Sequence, residues 1–151
     1  FPGLGILPVW STGMRWPKVR FCMNAPDSVS LAWLRRARSD LQLGRVALRA
    51  KGVLPEDACF HAQQCAEKAL KALLLQQEID FPRTHVIEVL LDLLKVNGVD
   101  IPTGVDEAFQ LSEYAVQTRY PGEWEPVTKA EARRAIEQAA LVLAWVEGQF
   151  E

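Results

Sequence analysis

The sequence lacks the features that would mark several classes of protein. Its 151 residues contain no run of 18 apolar residues, which argues against a transmembrane helix. Cysteine is scarce. The three residues Cys22, Cys59 and Cys65 form neither an even set nor a C-x-x-C motif, and no Cys/His cluster has the spacing of a zinc site. We therefore expect no disulfide, no metal and no cofactor, and a reducing cytoplasm as the setting. Alternating runs rich in valine and isoleucine are also few, so no β-strand is predicted.

The residues that are present suit one helical domain with a substantial core. The chain is 49% hydrophobic and 24% charged. Its nine prolines leave five long windows without proline, and proline breaks helix interiors. The windows are 27–54, 56–81, 83–101, 103–120 and 127–151. Because short loops join successive windows, the sequence predicts an all-α protein, an antiparallel up-and-down bundle of four to five helices.

Start and stop signals place the helices at about 30–51, 55–78, 84–97, 104–118 and 128–147. Gly52 ends the first, Pro55 opens the second and Thr84 is expected to cap the third. Thr128-x-x-Glu131 reads as a capping box for the last. The core positions that we expect to be mostly buried are Leu41, Phe60, Leu70, Leu73, Leu90, Ile136 and Leu143.

The first 26 residues differ from the rest, and we treat 1–26 as an N-terminal extension of a bundle that spans 27–151. They are rich in proline, glycine and tryptophan and carry three basic residues but no acid. Met14 and Met23 are both candidate start residues. Residues 1–22 are therefore expected to be an extension or a start-site artefact, and no function is assigned to them.

Charge is unevenly distributed along the chain. Residues 1–54 hold nine Lys/Arg and two acids, a net +7, whereas residues 55–151 have a net charge of −9. Such asymmetry can mark a surface for an anionic partner, can help two copies to pair, or can close the bundle on itself. Within the first helix a stripe about 80° wide contains Arg35, Arg38, Gln42, Arg45 and Arg49. A solvated or dimer-contact face explains this stripe better than nucleic-acid binding, because no aromatic residue lies beside it.

The second predicted helix carries an aligned row of polar side chains. At about 100° per residue, His61, Gln64, Lys68 and Lys71 fall within roughly 80° of one another. Such a row could hold a nucleotide or an RNA backbone. It could equally be the solvated face that every amphipathic helix has.

A second cluster lies at the end of the fourth predicted helix, in the stretch Tyr114-Ala-Val-Gln-Thr-Arg119-Tyr120-Pro121. Arg119 offers a fork for phosphate, and Tyr114 and Tyr120 could stack on a base. A purely structural reading stays open, in which Tyr114 belongs to the core, Arg119 pairs with a nearby glutamate and Tyr120-Pro121 ends the helix. If a ligand binds, we expect it in a groove between the second and fourth helices.

Several of these stretches together resemble HEPN domains, the "higher eukaryotes and prokaryotes nucleotide-binding" family. The resemblance covers about residues 28–148 and rests on Cys59–Leu75, Thr84-His85, Tyr114–Pro121 and the Ala-rich last helix with Trp145-Val146. It implies a helical bundle that forms a homodimer and binds nucleotide or RNA. It also implies a cytoplasmic, toxin–antitoxin-type pairing with a minimal nucleotidyltransferase protein, and no membrane association.

The resemblance leaves enzymatic activity uncertain. Many HEPN proteins are metal-independent RNases marked by an Arg that is followed, after four to six intervening residues, by His. There the Arg stabilises phosphate charge and the His moves a proton. Here Trp124, Glu125 and Pro126 occupy those positions after Arg119, so the standard motif is absent. Two alternatives remain: a helical dimeric interaction module without a ligand, and an RNase with a nonstandard site built from Arg119, His61 and His85.

Overall fold

A computed structural model describes residues 26–117, 122 and 124–151 of the chain. The described residues form an all-α bundle without any strand, as the sequence predicts. Residues 1–25 of the N-terminal extension, Cys22 among them, and Arg119, Tyr120 and Pro121 lie outside the described residues. None of the described helices combines the length and the apolar character that crossing a bilayer requires.

The first two helices are long and antiparallel neighbours. Helix α1 spans Pro26–Arg49 and helix α2 spans Pro55–Gln76. Gly52 in the connection has φ +80°, a left-handed conformation that glycine adopts without strain. Pro55 lies at the start of α2, where its missing N–H and fixed φ suit the first turn.

Helix α3 spans Ile87–Val96 and begins three residues later than the sequence predicts. The expectation that Thr84 caps it is wrong, because the residue before α3 is Val86 and no side-chain cap is present there. Side chains of α2 hold the preceding segment in an irregular conformation, since Lys71 Nζ donates to the Thr84 carbonyl at 2.9 Å. The first N–H of α3 donates instead to Ser112 Oγ at 2.9 Å.

The fourth predicted helix is divided into three short pieces. Helix α4 spans Thr103–Asp106, a 3-10 helix spans Glu107–Glu113, and helix α5 spans Tyr114–Gln117. The carbonyl of Gly104 accepts a hydrogen bond from Gln138 Nε2 at 2.5 Å. The tighter 3-10 helix begins three residues after Gly104.

The last helix, α6, spans Lys129–Gln149 and confirms the predicted capping box. The N–H of Glu131 donates to Thr128 Oγ1 at 3.1 Å, and the N–H of Thr128 donates to Glu131 Oε2 at 2.7 Å. The backbone and hydroxyl hydrogen bonds of Thr128 hold the pKa of Glu131 below its usual range. Two of the unsatisfied N–H groups at this helix end thereby find partners.

Helix α2 forms the centre of the core and contacts α1, α6 and α3. Six of the seven predicted core residues are buried. They are Leu41, Leu70, Leu73, Leu90, Ile136 and Leu143. Phe60 is the exception and is only half-buried, because it lies one turn before Gln64 on the polar side of α2. Its ring meets the His61 ring edge-on, with the centroids 5.5 Å apart.

Candidate functional site

The polar row of α2 lies between α1 and the irregular segment 79–86. Three of its predicted members, His61, Gln64 and Lys68, are half-buried and reach the surface. Lys71 is only 7% exposed. Helix α1 borders the row on one side, and the backbone of Thr84 and His85 borders α2 on the other, where it accepts hydrogen bonds from α2 side chains.

Asp40 of α1 binds two members of the row at once. Its Oδ1 lies 3.1 Å from His61 Nδ1, and its Oδ2 accepts a hydrogen bond from Lys68 Nζ at 2.5 Å. Asp40 is only 6% exposed, so this carboxylate is largely removed from water. The charge of Lys68 is therefore already balanced within the protein.

Asp40 is absent from the predicted set of site residues, although the sequence contains a signal for it. Positions 33, 37, 40 and 44 recur at helical spacing on one face of α1. At Gly44 that face approaches α2 so closely that an added Cβ would lie 3.4 Å from His61 Cβ. The acid at position 40 consequently points toward α2 and not toward water.

A second buried carboxylate, Glu67, organises the other side of α2. Glu67 is 3% exposed and accepts hydrogen bonds from Lys71 Nζ at 2.7 Å and Gln63 Nε2 at 2.9 Å. Gln64 Nε2 in turn donates to Gln63 Oε1 at 2.8 Å and joins this network to the exposed row. Burial opposes ionisation of Glu67, but the hydrogen bonds from Lys71, Gln63 and His85 outweigh it and hold the pKa of Glu67 below its usual range.

His85 is the exposed end of the Glu67 network. Its Nδ1 lies 3.1 Å from Glu67 Oε2, while 63% of its side chain is exposed. Because the ionised carboxylate can only accept, Nδ1 carries the hydrogen and donates. A second bond, from Gln63 Nε2 to the His85 carbonyl at 3.0 Å, fixes the backbone. In the neutral imidazole this arrangement leaves Nε2 as an acceptor that can take or return a proton.

Lys71 is enclosed rather than presented to solvent. Besides Glu67 and the Thr84 carbonyl, its ammonium group lies 5.7 Å from the centre of the Trp33 ring and 5.9 Å from that of Phe81. Aromatic rings at such distances attract a cation. Lys71 therefore joins α1, α2 and the segment before α3.

Tyr114 lies on a different side of α2 from the row. It is half-buried and hydrogen-bonds with Cys59, and burial raises its pKa. Cys59 points about 160° around α2 from His61. The row thus borders α1 and segment 79–86 rather than the described part of the predicted fourth helix. Arg119 and Tyr120, which complete the predicted set, lie outside the described residues.

A polar cleft of about 330 Å³ opens beside Tyr114, between the 3-10 helix and α6. It is lined by Glu107, Gln110, Leu111, Tyr114, Glu131, Arg134, Ala135 and Gln138. Glu107 and Glu131 outnumber Arg134, so the charge of the lining does not favour an anionic ligand. The cleft is therefore a weaker candidate for phosphate than the surface between α1 and His85.

No redox or metal chemistry is indicated by the described side chains. Across residues 26–117, 122 and 124–151 no three His, Cys, Asp or Glu side chains converge in a way that could hold a metal ion. Cys59 and Cys65 are both buried, and burial raises the pKa of each thiol to about 12. Both thiols stay protonated at neutral pH and behave as packing residues.

Comparison with known proteins relates this chain to HEPN domains. The family model of the HEPN domain matches residues 30–149. A protein of Methanocaldococcus jannaschii named "Putative toxin MJ1304" is 30% identical over 125 residues, which cover 74% of this chain and 81% of that protein.

Solved structures with the same fold include two that share more than a third of the aligned residues. The archaeal HEPN homologue ST0689 is 34% identical, with a TM-score of 0.66 over 81% of this chain and 98% of that one. TT1696 from Thermus thermophilus is 36% identical, with a TM-score of 0.67 over 79% and 96%. A HEPN domain protein of Thermotoga maritima, TM0613, is 21% identical with a TM-score of 0.54, and this likeness concerns the fold alone.

Proposed function

Because this chain belongs to the HEPN domain family, we propose that it is the HEPN component of a cytoplasmic toxin–antitoxin-type pair and binds a nucleotide or an RNA backbone. The toxin assignment is supported by the name of the Methanocaldococcus jannaschii relative. The proposed binding surface consists of the polar row of α2 and the adjoining His85. In the row, His61, Gln64 and Lys68 reach the surface and Lys71 lies beneath it.

The observation that carries the proposal is the network beneath His85. Burying Glu67, Lys71 and Gln63 removes two charges and an amide from water, which well-packed apolar residues of similar volume would not require. A network of this kind is weak evidence for stability, but it holds the exposed imidazole of His85 in one orientation. Such fixed orientation is what a binding or reacting side chain needs.

Phosphate at this surface would compete with Asp40. Lys68 and His61 already share that carboxylate, so a phosphate oxygen must take over part of their hydrogen bonding. Charge-assisted bonds of this type contribute about 1.5–3 kcal/mol each. Arg119 and Tyr120 remain proposed ligand contacts, with stacking of about 1–3 kcal/mol per base. Tyr114 remains one for a ligand that extends from the row to the Cys59 side of α2.

Competition between phosphate and Asp40 predicts that some substitutions weaken ATP binding and that another strengthens it. Isothermal titration of ATP into the folded protein should show that Lys68→Ala and Arg119→Ala each weaken binding roughly tenfold, as expected when one charge-assisted bond is lost. Asp40→Asn should instead tighten binding, because it frees Lys68 and His61 for phosphate. Inorganic triphosphate in place of ATP separates the phosphate contribution from that of the base.

The matched control is Lys129→Gln, an exposed lysine on another helix that should leave the affinity unchanged. Thermal unfolding of every variant establishes that it is folded. If Lys68→Ala, Arg119→Ala and Asp40→Asn all bind ATP as the parent does, the nucleotide site is wrong. The helical interaction module without a ligand would then be the better account.

The proposal includes two partners. One is a second copy of the chain, since the family resemblance implies a homodimer and the +7/−9 charge division permits complementary contacts. Light scattering at micromolar concentration tests the homodimer, and a monomeric mass across a wide concentration range would refute it.

The second proposed partner is a minimal nucleotidyltransferase. A neighbouring reading frame that encodes such a protein would be the first support for it.

One observation favours a second candidate function, metal-independent RNA cleavage. His61 and His85 each have Nδ1 against a buried carboxylate, which leaves both Nε2 atoms as proton acceptors in the neutral rings. Because the standard Arg/His spacing is absent, we expect little or no cleavage of single-stranded or structured RNA in the presence of a chelator. Robust cleavage that disappears in His85→Ala or His61→Ala would establish the nonstandard RNase instead.

A further inference from the structure

Helix α1 presents an arginine stripe that faces away from the candidate site. Arg35, Arg38, Gln42 and Arg49 are exposed and Arg45 is half-buried. These residues point about 140–180° around α1 from Asp40, which faces α2. The α1 arginine stripe and the polar row of α2 are therefore separate surfaces of the molecule.

Within the part of the chain that the structure describes, the arginines of the stripe have few carboxylate partners. Among ion pairs between described residues, only Arg38 of the stripe takes part, with Glu147 Oε1 at 2.6 Å. Between Ser28 and Arg49 the sole acid is Asp40, which is buried. By contrast, Lys68 and Lys71 on α2 are each bound to a buried carboxylate. Arg35, Arg45 and Arg49 thus form a row of positive charge on α1 that no ion pair among the described residues balances.

From this contrast we propose that the α1 arginine stripe binds the phosphate backbone of RNA without reading its sequence. From Arg35 to Arg49 the helix rises about 21 Å, the length of roughly six phosphates in one stacked strand. Guanidinium groups bind phosphate oxygens in pairs and hold them more specifically than a point charge does. The inference goes beyond the proposed nucleotide site, because it concerns another face of the molecule and a contact that follows the backbone of a longer RNA strand.

A second protein fits the stripe less well than RNA does. Protein interfaces have an apolar centre that is poor in charge, whereas the middle of this stripe is Gln42 between Arg38 and Arg45. A second copy of α1 fits no better, since a two-fold interface must be self-complementary and the stripe carries one sign of charge. The large exposed aliphatic residues Leu43 and Val46 lie to one side of it.

The test is the binding of a fluorescent U20 RNA, measured by anisotropy between 50 and 200 mM salt, with a chelator present. Four phosphate contacts predict a slope of log K against log salt of about −3. Arg35→Gln combined with Arg49→Gln should weaken binding at least tenfold at 100 mM salt and reduce the slope by about 1.4. Lys129→Gln, an exposed lysine at the start of α6, is the control and should change affinity less than twofold.

Three outcomes would overturn the inference: no RNA binding at 50 mM salt, a double variant that binds like the parent, or equal losses in the double variant and in Lys129→Gln. A poly-glutamate chain that binds more tightly than RNA through the same arginines would assign the stripe to an acidic protein. ATP titrated into the double variant should bind as it does to the parent. Failure of the stripe and failure of the nucleotide site are therefore distinguishable.

Discussion

Helices α1 and α2 both carry a row of basic side chains, yet the two rows differ in what they can offer a ligand. On α2, Lys68 is bound to Asp40 and Lys71 to Glu67, and both carboxylates are buried. On α1, the exposed arginines have a single ion pair among the described residues, that of Arg38 with Glu147. Whether a basic residue can bind a ligand therefore cannot be judged from the sequence until the positions of the neighbouring acids are known.

The difference also separates two kinds of contribution. A buried pair on α2 has lost its water, so breaking it leaves an uncompensated charge in the protein. A surface pair on α1 keeps its water and is screened by salt. We expect the buried polar residues of α2 to serve architecture and to orient the proposed nucleotide site, and the exposed arginines of α1 to contact a separate partner. The experiments below test this division.

The largest effect should come from Glu67→Ala. The variant leaves Lys71 buried beside Trp33 and Phe81 with no counter-charge and removes one of the two acceptors of Gln63 Nε2. Breaking one side of a buried pair costs about 3–5 kcal/mol, so the urea midpoint should fall steeply. Arg35→Gln on α1 is the matched control and should stay within about 0.5 kcal/mol of the parent. Equal effects of the two substitutions would erase the distinction between the helices.

Leu73→Ala gives a reference for the apolar side of α2. Leu73 is 1% exposed in the core cluster, and truncation of such a leucine costs about 2–5 kcal/mol. Urea unfolding measures it on the same scale as Glu67→Ala. If Leu73→Ala left the free energy of unfolding unchanged, Leu73 could not be packed in the core as the structure places it.

The apolar part of α2 could be predicted from the sequence more completely than its polar part. Periodicity and proline spacing identify the helices and six of the seven tested core residues, because apolar burial follows directly from helical geometry. Helical spacing likewise places His61, Gln64, Lys68 and Lys71 within about 80° of one another around α2. What spacing does not contain is the partner of each polar residue. Asp40 lies 21 positions before His61, and Glu67 meets His85 only because the chain before α3 is irregular.

The failures at Thr84 and in the fourth predicted helix have the same origin. Local signals favour a helix from residue 84 and another from residue 104. In the structure, Lys71 and Gln138 donate tertiary hydrogen bonds to the backbone carbonyls of Thr84 and Gly104. Contacts from distant helices thus accompany both departures, and no pattern within either segment reveals them.

The α2 network should also make stability depend on pH in a defined direction. The pKa of Glu67 in the folded protein lies below its ordinary value of 4.5. The carboxylate therefore contributes stability that is present above about pH 4.5 and is lost as pH falls through the lower, folded-state pKa. Chemical unfolding at pH 7, 5, 4 and 3 should show that Glu67→Gln loses less stability on acidification than the parent does. Parallel curves for the two proteins would exclude Glu67 as the source.

The smallest expected effect belongs to the one ion pair of the α1 stripe. Arg38 and Glu147 are 52% and 36% exposed in their side chains, so water competes for both groups. A double-mutant cycle with Arg38→Gln and Glu147→Gln should give a coupling of about 0.2–1 kcal/mol, and 1 M salt should abolish most of it. The same cycle on Lys71 and Glu67 should give a larger coupling that salt barely changes, because both groups are buried. If the Arg38–Glu147 coupling instead resisted salt, that arginine would be committed to the fold, and the phosphate-binding stripe of α1 would lose one of its four cations.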